Sequence, residues 1–81
     1  MNNEVAILRG KIAVNEKLVE TYSAEINGDI SQLRILADKS EPKESLETGT
    51  MKIIVDRIHD RAVLIRKLKD IIKGLKQDLG E

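Results

Sequence analysis

Asp56 and His59, three residues apart, and Glu16 and Glu20, four apart, are spaced as side chains that share one face of a helix. On such a face a carboxylate and a histidine can hold a metal, as in the di-iron centres of helical bundles. Those centres need further inward glutamates, and nothing in the sequence supplies a carboxylate facing His59. Two glutamates four apart can share a metal or a proton. Both pairs fall outside the apolar positions derived below, so both are read as solvated charges. No catalytic residue, metal ligand or cofactor is implied.

Arg66, Lys69, Lys73 and Lys76 recur at helical spacing and line one stripe. A stripe of cations can contact phosphates along a duplex or an RNA stem. No aromatic residue interleaves it for base stacking, and Asp70 and Asp78 lie close in sequence. The competing reading is ordinary edge charge, with Lys69 opposite Glu16.

The elements that carry these groups follow from composition and period. Eighty-one residues make one domain at most, near the size at which a single core barely suffices. Apolar residues are 41% of the chain and charged residues 35%, yet Phe and Trp are absent and Tyr22 is the single aromatic. Aliphatics on a charged background suit long amphipathic helices better than a compact globule. The 14 basic and 14 acidic residues balance, so no global field favours nucleic acid or an anionic membrane. Cysteine is absent, which excludes disulfides and thiolate zinc sites. The opening MNNEVAILRG lacks the basic start and long apolar run of a signal peptide, and no uninterrupted apolar segment is long enough to span a membrane. A soluble, cytoplasmic protein is expected.

With Val5 at heptad position a, the a sites are Val5, Ile12, Val19, Ile26 and Leu33, all apolar. The d sites are Leu8, Asn15, Tyr22, Asp29 and Leu36. The second half repeats the pattern, with Met51, Ile58, Ile65, Ile72 and Leu79 at a and Ile54, Arg61, Leu68 and Leu75 at d. Two such arrays predict two long helices packed in coiled-coil fashion. Between them, Pro42 removes a backbone donor and disfavours helical geometry at Glu41. The fold class is therefore all-α: one antiparallel hairpin with helices over about 3–39 and 51–79 and a turn over about 40–50. Within that turn PKESLE can form one short helical turn, with Gly49 closing it left-handed and Thr50 capping the second helix.

Folding the arrays together pairs Leu36 with Met51, Tyr22 with Ile65 and Leu8 with Leu79. Edge positions then pair Lys11 with Asp78, Leu18 with Ile71, and Gln32 with Arg57, while Arg9 meets Lys76 and Glu25 meets Leu64 less favourably. The polar d residues Asn15, Asp29 and Arg61 are read as fixing register, with Asp29 and Arg61 close enough in level for an ion pair across the seam.

The half near the termini carries more apolar residues than one seam uses. Ile7, Val14 and Leu18 on the first helix, and Leu64, Leu68, Ile71 and Leu75 on the second, widen the apolar arc as in a four-helix bundle. They are the expected self-association surface. A homodimer is favoured, with a four-helix bundle near the termini and a thinner two-helix end at the turn.

The segment LRGKI, residues 8–12, is similar to the opening of small all-helical chorismate mutases. That resemblance implies several inward basic residues around a dianion, but no basic residue lies between Lys17 and Arg34. Aliphatic seams also offer neither a pocket nor placed acid–base groups. The expected function is therefore non-enzymatic: a homo-oligomeric hairpin serving as an interaction or scaffold module for another protein. The alternative is a small nucleic-acid-binding regulator that uses the basic stripe.

Overall fold

The computed structural model describes residues 3–39 and 42–81, except for the side chain of Lys39. Two helices, α1 (Asn3–Lys39) and α2 (Thr48–Asp78), lie back along one another as a hairpin with extents of 66 × 16 × 14 Å. In α1 the a and d residues from Leu8 to Leu36 are all buried or half-buried, as are those of α2 from Met51 to Leu79. Val5 is the exception and stays exposed, because α2 ends at Asp78 below its level. The heptad period thus decides which stripe of each helix faces the other. Full burial is confined to Ile12 at 7% exposure and Ile54 at 2% among the described residues.

The connection is built from backbone bonds. Pro42, in extended geometry, leads into a 3-10 turn at Lys43–Ser45. There Ser45 N donates to Pro42 O at 2.9 Å, and Leu46 N donates to Lys43 O at 3.1 Å. Half-buried Leu46 follows, and Met51 N donates to Glu47 O at 2.9 Å as α2 begins. Two expectations are corrected at this point. Gly49 is helical rather than left-handed, and Thr50 lies inside the first turn of α2, three residues past the N-cap Glu47. The 3-10 turn completes the reversal early, so helical geometry resumes before the glycine is reached. Glu41, the residue that Pro42 restricts, lies outside the described residues.

The left-handed glycine is instead Gly80, with φ +81°. Gly80 N donates to Gln77 O and Glu81 N to Lys76 O, both at 2.9 Å, which satisfies the last carbonyls of α2. A side chain at that φ would be strained.

Ile54 is the side chain most dependent on this packing. Ile54→Ala is expected to cost about 3 kcal/mol through lost burial and a residual cavity. Lys52→Ala, on the exposed surface nearby, should stay within about 0.5 kcal/mol. Chemical denaturation of the two variants checks the contrast.

Candidate interaction surface

Charged side chains interrupt the aliphatic seam midway, and they form one network. Asp29, only 13% exposed in its side chain, accepts from Arg57 Nη2 at 2.9 Å and from Arg61 Nη1 at 3.3 Å. Arg61 Nε also donates to the Glu25 carboxylate. The expected Asp29–Arg61 pair therefore forms, and two further residues join it. Pairing edge with edge sets Arg57 against Gln32 and Glu25 against Leu64, but on the register that faces Leu36 with Met51 the nearer levels belong to the seam residues Asp29 and Arg61. Each edge residue therefore pairs diagonally with a charged seam residue of the opposite helix. Acids at helical spacing on α1, opposite arginines at helical spacing on α2, were the available signal.

The hydrogen bond to Glu25 raises the Arg61 pKa above its ordinary value; partial burial opposes this and the charges of Glu25 and Asp29 reinforce it. A raised folded-state pKa stabilises the fold at every pH below the unfolded value. For an arginine that range covers all of neutrality, and the contribution is lost only in strong alkali.

Beside the network lies a shallow open recess of about 420 Å³, lined by Tyr22, Glu25, Arg57, Asp60, Arg61 and Leu64. The recess identifies one side of the hairpin, the side that carries Glu25 and Leu64. One heptad from Leu64 is Ile71, and one heptad from Glu25 is Leu18. Ile7 and Val14 occupy the neighbouring position of α1 on the same side. These five aliphatics are between 36% and 62% exposed and form an apolar face over the terminal half. Leu68 and Leu75, grouped with them by sequence, are half-buried in the seam.

Asn15 is half-buried, and its amide donates to Lys11 O of its own helix at 2.8 Å. Arg66, Lys69, Lys73 and Lys76 are exposed along the edge of α2 away from the apolar face. By the same register Arg9 of α1 adjoins them. The expected Glu16–Lys69 pair is not among the ion pairs of the described residues; both side chains are exposed, where such pairs gain little. Glu20 pairs instead with Lys17 at 3.6 Å. Asp56 and His59 are exposed, and among the described residues no group of three or more His, Cys, Asp or Glu is placed to hold a metal. Nor, among those residues, is either helix long and apolar enough to cross a membrane. Compared with family models, curated proteins and solved structures, the chain matches none.

A charge exchange tests whether the network sets register. Asp29→Arg places like charges together and should lower the melting temperature by roughly 5–10 °C. Exchanging all four charges (Glu25→Arg and Asp29→Arg with Arg57→Glu and Arg61→Glu) restores every opposite-sign contact of the network and should recover most of the loss in a thermal melt.

Proposed function

We propose that the chain is a non-enzymatic interaction module: a coiled-coil hairpin that self-associates into a four-helix bundle and in that form binds or scaffolds another protein. The carrying observation is the exposed apolar face of Ile7, Val14, Leu18, Leu64 and Ile71, drawn from both helices at one end of the hairpin. Contiguous aliphatic surface of this kind marks an interaction site. Ordering each residue costs on the order of 1.5 kcal/mol, and one seam covers each helix along a single stripe. A second apolar cover supplies what the seam lacks, and two-fold pairing is the commonest way to supply it. Replacing Leu64 and Ile71 together by Lys should give monomers and remove much of the helicity, as read by sedimentation and circular dichroism. A helical dimer that survives both lysines contradicts the reading.

One observation favours a second reading, a nucleic-acid-binding regulator. Arg66, Lys69, Lys73 and Lys76, with Arg9 beside them, have no ion-pair partner among the described residues and lie away from the apolar face. The two surfaces can therefore coexist. Binding to a short RNA or DNA duplex should weaken steeply with salt and vanish when the four α2 cations are neutralised together. Protein that binds neither duplex at low salt leaves the interaction module alone.

A further inference from the structure

We propose that the apolar face docks on a second copy of this chain lying with its turn at the same end, so that α1 of each copy runs along α2 of the other. The inference rests on the self-association reading above and adds the orientation. It follows from how charge is distributed along that face. Glu25 and Asp29 belong to α1, while Arg57 and Arg61 belong to α2. At the level of the recess α1 is thus acidic, and α2, with two arginines against Asp60, is net basic.

Two face-to-face arrangements have two-fold symmetry. With same ends together, the axis runs along the hairpin and each α1 lies against the other copy's α2 at the same level. The acids of each copy then meet the arginines of the other. With ends opposed, each helix lies against its own counterpart. Bringing the two networks level in that arrangement sets acids on acids and arginines on arginines, and like charges placed together cost several kcal/mol in an interface. Sliding the copies to overlap only their terminal halves carries Glu25 toward the Glu4 end of the other α1 and leaves Ile35 and Ile53 uncovered.

The aliphatics agree with the first arrangement. The register fixed by Asp29–Arg57 and Glu25–Arg61 puts Leu18 within a turn of the level of Ile71, and Ile35 within a turn of Ile53. Ile35 and Ile53 are both more than half exposed, and each shares the heptad position of Ile7 and Val14 on this side. Apolar residues are therefore brought close to apolar residues on both flanks of the charged layer, with Lys67 at the border of the terminal flank, and the bundle continues to the turn instead of thinning there.

The glycines supply a separate observation. Gly28 and Gly74 occupy that same heptad position, and a Cβ on either, as on Gly10 away from this face, meets nothing within 4 Å in the hairpin. Intrahairpin packing does not call for glycine at either place, although glycine within a helix costs about 1 kcal/mol relative to alanine. In the same-ends arrangement Gly74 lies within a turn of the level of Val14 of the other copy, so the absent side chain leaves room for an aliphatic knob. The charged layer then acts as a register device. It adds little net energy once desolvated, but it penalises the opposed orientation.

Pulsed electron resonance on the 81-residue chain tests the orientation directly. The chain has no cysteine, so Ser45→Cys carries a single spin label on the exposed turn. The same-ends dimer brings both labels within a few helix diameters, roughly 20–40 Å at helix spacings of about 10 Å. Opposed ends separate them by a distance on the scale of the hairpin's 66 Å length or more. A dimer with the long distance overturns the orientation and leaves self-association standing. Monomer by sedimentation of the unlabelled chain overturns both. Lys52→Cys, exposed near the start of α2, provides a second label that must report the same ordering, with circular dichroism showing that each variant remains helical.

Discussion

A single aliphatic stripe on each helix is the constraint from which the rest of this structure follows. Because heptad positions a and d are spaced to stay on one side of a helix, they bring α1 and α2 into contact along most of their length. They also bury very little. Ile12 and Ile54 are the side chains taken fully out of water among the described residues, and most of the seam is only half covered. A helix pair has no third element to close over its sides. Aliphatics outside a and d therefore remain in solvent, and on the side of Glu25 and Leu64 they are numerous enough to make a surface.

The charged layer gives the seam direction. Leucines and isoleucines interdigitate almost as well after a shift of one heptad, since such a shift exchanges like for like. Asp29 does not tolerate it, because a half-buried carboxylate that accepts from both Arg57 and Arg61 loses both donors when α2 slides by a heptad. Polar residues at core positions commonly trade some stability for specificity in this way. The same residues border the recess beside the apolar face, so the feature that fixes register within one hairpin also stands at the edge of its proposed contact with another.

What could be read from the sequence tracks what is periodic. The two helices, the seam and the Asp29–Arg61 pair follow from spacing that repeats over many residues, so local errors average out, while the break between the helices is marked by the single proline Pro42. The turn does not repeat, and its details escaped. Gly49 invited a left-handed position, yet the reversal is completed at Lys43–Ser45 and the glycine falls within α2. Gly80, which does adopt positive φ, is marked by no periodic pattern, because helix ends are set by a few hydrogen bonds. Edge-to-edge pairing sets Arg57 and Glu25 against Gln32 and Leu64, whereas their side chains reach diagonally to the charged seam residues Asp29 and Arg61. The basic edge was legible as a stripe, but Arg9 joins it only once the helices are folded together.

In the proposed reading one seam does not suffice, and folding of the hairpin is coupled to its association. Thermal melting of the unmodified chain across about a hundredfold range of concentration tests this coupling, because a fold stabilised by association gains stability by mass action. The melting temperature should rise steadily with concentration, and helicity should fall at the dilute end. A melting temperature and helix signal that stay constant over the whole range would mean that the lone hairpin is stable without a partner.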